Sequence, residues 1–215
     1  MIAAFFDMDN TLLTVDTGIS WTKFLHRRGE LPTAMLAKAL YWSTLYKLAV
    51  LDMDTVFTKL CLDFAGDSEA EMIAKCDVWY REHVAPYVAP AARVAVERHR
   101  QQGHVIVLAT GSTVYAAKPV ARGVGIDHVL ATQLEVEGGT FTGKPRALCF
   151  GQHKVTLAEK WAAQHGIDLA RSYFYSDSFN DLPMLERVGN AIAINPDARL
   201  TRHARRRGWP TQRWS

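Results

Sequence analysis

The chain has 215 residues, 48% of them hydrophobic, and a formal net charge of +3. That is enough apolar material for a sizeable core, either one large domain or a core with a smaller insert, and a charge too small to argue for nucleic acid. Cys61, Cys76 and Cys149 are widely spaced, odd in number and form no C-x-x-C pair, which argues against a disulfide scaffold and for a reducing cytosol.

The first element is the run Ile2–Phe6, short, apolar and Phe-rich, which reads as a fully buried strand of a parallel sheet. It leads straight into Asp7-Met8-Asp9-Asn10-Thr11. If the chain stays extended through Met8, strand alternation turns Asp7 and Asp9 to one side. Two carboxylates held close repel unless a cation lies between them or one is protonated. The pair therefore points to a divalent-metal site with a nucleophilic or acid/base carboxylate, although two acids after a strand also suit a turn cap. The start has no basic region followed by a cleavable apolar stretch, so secretion is not expected and the cytoplasm is.

Residues 17 to about 85 read as helices over Gly18–Arg28, Pro32–Leu51, Met53–Phe64 and Ser68–Val84, with apolar residues at three and four spacings. Ser68-x-x-Glu71 has the form of a capping box. No strand signal appears, so this stretch is expected to be an all-helical insert ending near Pro86–Pro90. Leu31–Met53 is largely apolar, but Lys38, Ser43, Thr44 and Lys47 interrupt it, which favours a buried or partner-facing helix over a membrane span.

From residue 90 helix and strand alternate. Ala91–Gln102 is expected to be a helix, His104–Ala109 a buried strand, Thr113–Arg122 a helix ended by Gly123, and His128–Ala131 a short strand. The alternation around Gly138-Gly139 signals a hairpin. Lys154–His165 follows as a helix, Ser172–Ser176 as a strand, Asp181–Val188 as a helix, Ala191–Ile194 as a strand and Pro196–Arg207 as a helix stopped by Gly208. The alternation implies a parallel sheet covered on both faces.

Three further stretches sit at strand ends or helix starts. Thr110-Gly111-Ser112 places hydroxyls and a glycine before a helix N-terminus, a good anion-binding turn, though either hydroxyl also suits an N-cap. Lys154 opens a helix with the wrong charge for the macrodipole, so it needs an anion nearby or lies in solvent; His153 beside it reads as a cap-region or exposed residue. Asp177-Ser178-Phe179-Asn180-Asp181 repeats the acidic chemistry of the first stretch, and hard oxygen donors select Mg²⁺ over zinc.

Asp7-Met8-Asp9-Asn10-Thr11, then Thr110, then Lys154, then Asp177-x-x-x-Asp181 match in order the four motifs of the haloacid dehalogenase-like phosphatases. Asp177 to Leu185 resembles the subgroup that includes phosphoserine phosphatase. The resemblance implies a Rossmann-like parallel-sheet core, residues 1–15 and 87–215, with an all-helical (C1-type) cap at 16–86. It implies Asp7 as nucleophile forming an aspartyl-phosphate, Asp9 as acid and base, and Mg²⁺ held by Asp7, the Asp9 carbonyl and Asp177. Thr110 and Lys154 would bind the transferring oxygens, Asp181 would orient Lys154 or a water, and Thr11, Gly111, Ser112 and Asn180 would seat the phosphate or support the metal.

Asp16 falls where phosphoserine phosphatases carry an acid for the substrate amine. The arginine those enzymes use for the serine carboxylate is missing, since residues 29–80 contain only Lys38, Lys47, Lys59 and Lys75 as cations. An amine site without a carboxylate site suits an amino-alcohol phosphate. The chain also resembles, in length and cap position, some bacterial members of this subgroup that act as histidinol-phosphate phosphatases. L-histidinol phosphate therefore ranks slightly ahead of phosphoserine, with Trp21, Phe24 and Trp42 as a stacking face or as core. A phosphotransferase or a non-catalytic phosphate-binding protein of the same fold are the other readings. Arg199, Arg202, Arg205, Arg206 and Arg207 lie opposite Leu200 and Ala204 at helical spacing, a solvated face, so no nucleic-acid partner is expected.

Overall fold

In the computed structural model residues 1–33 and 53–214 are described. Most of the expected helix over Pro32–Leu51, together with Lys38, Trp42 and Lys47, lies outside them. Within the described residues one sheet runs in the order β4-β3-β2-β1-β5-β6-β7. Its strands are β1 (Ala3–Phe6), β2 (Val105–Thr113), β3 (His128–Glu137), β4 (Thr140–Ala147), β5 (Tyr173–Ser176), β6 (Asn190–Ile194) and β7 (Thr211–Gln212). All neighbours are parallel except the β3–β4 hairpin.

The central strand explains the layering. All four residues of β1 are fully buried, with Ala4 and Phe6 in one apolar cluster and Ala3 and Phe5 in another. Alternation therefore feeds a core on each face of the sheet, as a buried parallel strand requires. The first cluster packs under α4 (Pro90–Gln101) and α5 (Val114–Val124). The second lies under α6 (Gly151–His165), α7 (Leu182–Arg187) and α8 (Ala198–Arg207). On α8, Leu200 and Ala204 are fully buried while the arginines face solvent.

Between β1 and β2 the described insert contains α1 (Thr17–Arg27), α2 (Met53–Leu62) and α3 (Glu69–Trp79). Ser68 caps α3 by accepting from the Glu71 N–H. The chain then continues as a wide π-type turn over Tyr80–Val84 and a 3₁₀ turn over Ala85–Tyr87, so the single helix expected to Val84 is not regular. None of the described helices is long and apolar enough to cross a membrane.

Other expectations shift for local reasons. Gly123 does not end its helix; Gly125, in the left-handed region at φ 75°, does. Gly123 instead gives room to Tyr80, whose hydroxyl would lie 1.6 Å from a Cβ at that position. The short strand at His128–Ala131 runs on as one arm of the hairpin to Glu137. The last helix begins at Ala198 because Asp197 caps it, accepting from the Arg199 and Leu200 N–H groups. The two-residue β7 is exposed and has no apolar run to announce it.

Backbone pairings fasten the described part of the insert to the core. Where it leaves and rejoins the core, Leu13 bridges Val88, and Thr14 and Ala89 donate to Tyr87 and Leu12. Elsewhere Ser68 bridges Thr140 of the hairpin, with Glu69 N–H donating to Gly139 O and Phe141 N–H to Asp67 O, both at 3.0 Å. Tyr115 donates to Glu69, and Cys61, Cys76, Tyr115, Leu134 and Phe141 form a small apolar cluster behind this contact. Because the hydrogen bonds flank the Ser68–Thr140 pair, it is the close kind, with Cα atoms about 4.5 Å apart. That falls within the separation a disulfide accepts, about 4.4–6.8 Å. Ser68→Cys combined with Thr140→Cys is thus expected to cross-link under mild oxidation and to melt higher oxidised than reduced. Non-reducing electrophoresis and a thermal melt check this, and failure to cross-link would contradict the contact.

Candidate active site

At the end of β1 the Asp7 N–H donates to Tyr175 O at 2.9 Å, extending the β1–β5 pairing by one step. The chain then leaves the strand. Met8 is buried in the core, Asn10 adopts the left-handed φ of 51°, and Leu12 and Leu13 donate back to Asp7 and Met8. Asparagine tolerates that conformation better than most residues. A wide turn, not strand alternation, therefore places Asp9 near Asp7, which corrects the extended geometry expected from the sequence. The Asn195 side chain holds the turn by donating to Asn10 O at 2.9 Å.

Lys154, in the first turn of α6, is only 2% exposed, so of the two environments its charge allowed, the structure selects the anionic one. Its Nζ lies 3.0 Å from Asp7 Oδ1 and 2.6 Å from Asp181 Oδ1. Burial pulls the lysine pKa down, but Asp181 and Asp7 outweigh it and hold the ammonium charged well above its ordinary range. Asp181 is fixed in turn by Ser176, whose hydroxyl donates to its Oδ2 at 2.7 Å and accepts from the Ser178 N–H. Ser176, fully buried at the end of β5, was not signalled by the sequence.

Asp9 has a different environment. Its Oδ1 accepts from the Thr17 N–H and its Oδ2 from the Ser112 hydroxyl at 3.2 Å, while the Ser112 and Thr17 hydroxyls meet at 3.0 Å. Burial raises the Asp9 pKa first and Asp16 adds to it, against the bonds from Thr17 and Ser112, leaving it at about 6. Asp7 is raised to about 7, mainly by burial, with Lys154 opposing and Asp181 and Asp9 adding. Asp177 is raised well above its ordinary value by burial, then by Asp7, Asp181 and Asp9.

Thr110 ends the regular part of β2, 1% exposed, and its hydroxyl accepts from the Ser112 N–H at 3.2 Å. Gly111 lies against the segment that leads into α6: a Cβ there would sit 3.5 Å from Phe150 Cβ. Asn180 stands in the turn that carries Asp177 to Asp181, its N–H donating to the Ser178 hydroxyl. That turn is tied down by Asp197, which accepts from the Phe179 N–H at 2.7 Å and whose own N–H donates to Asp177 O at 2.9 Å. Asp16 caps α1, accepting from the Ile19 N–H at 3.0 Å. Thr11 is fully enclosed, and its hydroxyl has no polar partner among the described residues. His153 is exposed.

The structure thus gathers Asp7, Asp9, Ser112, Lys154, Asp177 and Asp181 at the carboxyl ends of β1, β2 and β5, where open α/β sheets place ligands. Lys154 pairs with Asp7 and Asp181, and the pKa values of Asp7, Asp9 and Asp177 are raised first by burial and then by neighbouring acids. Such a donor set suits a hard divalent cation. Among the described residues no three acidic, histidine or cysteine side chains converge on one metal position. Asp7 and Asp177, the second of which has its pKa raised by the first, are the acids that could hold such a cation.

A family model described as haloacid dehalogenase-like hydrolase matches residues 4–186. A histidinol-phosphatase of Neisseria meningitidis is 31% identical, over 96% of this chain and 96% of its own. A phosphoserine phosphatase of Mycobacterium tuberculosis is 34% identical, over 96% of this chain and 69% of its own. Among solved structures, a protein of unknown function from Bordetella pertussis superposes with a TM-score of 0.88 at 32% identity, covering 98% of this chain and 97% of the other. A phospho-aspartyl intermediate analogue of phosphoserine phosphatase superposes with a TM-score of 0.73 at 18% identity, covering 100% of this chain and 93% of the other, a likeness of fold.

Proposed function

The chain belongs to the haloacid dehalogenase-like hydrolases and is a phosphatase of that family, and from this premise we propose that it hydrolyses a small-molecule phosphomonoester through an aspartyl-phosphate on Asp7, with Mg²⁺ as cofactor. The observation that carries the reading is the pair of environments around the two leading carboxylates. Asp7 is held by Lys154, whereas Asp9 is held by Ser112 and Thr17.

In the first displacement Asp7 attacks phosphorus with the oxygen that Lys154 leaves free, and the bond to the alkyl oxygen breaks. Asp9 gives its proton to the leaving alkoxide; a carboxyl at about 6 suits both proton donation and acceptance near neutrality. In the second, Asp9 takes a proton from water as that water attacks phosphorus, freeing Asp7 and inorganic phosphate. Lys154 and the Thr110 hydroxyl would meet the charge that spreads over the transferring oxygens. Mg²⁺, held by Asp7, Asp177 and the Asp9 carbonyl, would neutralise phosphate charge as the anionic nucleophile approaches. Thr11, Gly111, Ser112 and Asn180 support the phosphate seat from the loops that carry them.

The helical insert, residues 16–86, serves as the cap over a core of 1–15 and 87–215 and selects the substrate. An amino-alcohol phosphate such as L-histidinol phosphate is the best fit. Asp16 supplies an anion beside Asp9 for an amine. Between residues 29 and 80 there is little for a carboxylate: Lys75 is paired with Glu30 at 2.6 Å and Lys59 is exposed, while Lys38 and Lys47 lie outside the described residues. The whole-length similarity to a histidinol-phosphatase supports the same choice. Phe24 is core, 2% exposed, and Trp21 packs edge-on against Trp79, so neither is a clear stacking face. Phosphoserine is the second reading, on the similarity to a phosphoserine phosphatase. Phosphotransfer to another acceptor, or phosphate binding without turnover, would be the outcome if water were excluded or chemistry absent. The proposed location is the cytoplasm.

The test is phosphate release from histidinol phosphate, phosphoserine, phosphoethanolamine, sugar phosphates and an aryl phosphate, each with Mg²⁺ and with EDTA. Metal-dependent release with histidinol phosphate preferred is expected. Preference for phosphoserine would overturn the substrate choice, and absence of release from every compound would overturn hydrolysis.

A further inference from the structure

Strands β2 and β3 run in step from Val107 opposite His128 to Thr110 opposite Ala131, and then lose step. The next partners are Thr113 and Thr132, so Gly111 and Ser112 are extra residues on β2. A bulge of this kind throws a backbone carbonyl out of the ladder, and a buried carbonyl needs another donor. Thr132 provides it. Its hydroxyl donates to Gly111 O at 2.8 Å and accepts from the Cys149 N–H at 3.1 Å. Thr132 and Cys149 are both fully buried.

The two ends of this link matter for chemistry. Gly111 lies within the loop that presents Thr110 and Ser112, and Cys149 immediately precedes Phe150, the N-cap of the helix that carries Lys154. One hydroxyl, using both its donor and an acceptor site, thereby joins the two arms that hold the transferring phosphoryl group. The packing of Gly111 against Phe150 and the Cys149 carbonyl follows the same seam.

We propose that Thr132 is a positioning residue for phosphoryl transfer: its hydroxyl fixes the 110–112 loop relative to Lys154. The inference rests on the phosphatase reading above. It concerns a residue that touches neither substrate nor metal, on a strand whose sequence gives no sign of function.

The experiment compares the unmodified protein with Thr132→Val, which keeps the volume and removes both hydrogen bonds, and with Thr132→Ser, which keeps the hydroxyl. The readouts are kcat, KM and inhibition by inorganic phosphate, all well below the melting temperature. Thr132→Val is expected to lower kcat by about 10–100-fold, the scale of a small misplacement of reacting groups, and to weaken inhibition by phosphate. Thr132→Ser is expected to stay near the unmodified values. A Thr132→Val protein that melts lower but keeps kcat and phosphate inhibition within about twofold would overturn the proposal, since a merely structural link would do that. Should Thr132→Val fail to fold, Thr132→Cys, a weak hydrogen bonder of similar size, takes its place against Thr132→Ser, and equal kcat in the two overturns the proposal. An unmodified protein without activity would strike the phosphatase reading, and the inference with it; an active one beside an unchanged Thr132→Val strikes the inference alone.

Discussion

Asp7→Asn is expected to lower phosphate release by at least ~10³-fold without unfolding the protein. The amide has nearly the shape of the carboxylate, and its oxygen still accepts from Lys154, but it cannot form the phosphorylated intermediate. The fold should tolerate the change well. Asp7 is 7% exposed, and its carboxyl is raised to about 7, first by burial, so ionising it within the folded protein is already unfavourable. A neutral amide removes that cost together with the repulsion from Asp181, Asp9 and Asp177. The melting temperature without metal is therefore expected to stay level or to rise. Phosphate release by a folded Asp7→Asn protein at a rate near that of the unmodified one would remove Asp7 from the role of nucleophile.

The second large effect belongs to Lys154. It is 2% exposed, between Asp7 and Asp181. Lys154→Met keeps much of the packing and leaves two buried carboxylates without their cation. Breaking a buried ion pair from one side costs about 3–5 kcal/mol, which in a chain of this size corresponds to a fall in Tm of roughly 10 °C. Activity is expected to fall by about 10²–10³-fold with the charge that faced the transferring phosphoryl group. Adding Asp181→Asn to Lys154→Met separates the two effects. One unpaired carboxylate is then gone, so Tm is expected to recover in part, whereas activity is not. Thermal melts and phosphate release on the two single variants and the double variant check this. Additive loss of stability in the double variant would contradict the coupling through Lys154.

The residues of the site were legible because each motif pairs an unusual residue with a recognisable position. Asp7, Thr110 and Asp177 follow apolar runs that only a buried strand explains, and Lys154 carries the wrong charge for its helix end. The order of strands and helices followed from the same punctuation. The residues that hold these groups in place were not legible. Ser176, Asp197 and Thr132 are ordinary hydroxyl and acid residues in strand and cap positions, and their partners come from other segments. Thr132 meets Gly111 and Cys149 only once β2, β3 and the start of α6 are side by side. The turn at Met8–Leu12 was hidden for a related reason. Met8 reads as one more apolar strand residue until the core draws it in and Asn10 takes a left-handed conformation. Gly123 looked like a helix stop, because a glycine kept for the close approach of Tyr80 is indistinguishable in sequence from one kept for its φ. The contact of Ser68 with Thr140 joins a cap residue to a hairpin edge, a pairing that no local pattern announces.

Reductive trapping with borohydride during turnover, followed by mass spectrometry of the peptide that contains Asp7, detects the proposed intermediate itself. An aspartyl-phosphate is an acyl phosphate, and borohydride reduces it to the alcohol, converting Asp7 to homoserine only while the intermediate is present. Homoserine is expected at position 7 in the presence of Mg²⁺ and substrate, and none with EDTA or without substrate. Sustained phosphate release with Asp7 left unmodified, or homoserine formed at a different aspartate, would contradict an intermediate on Asp7.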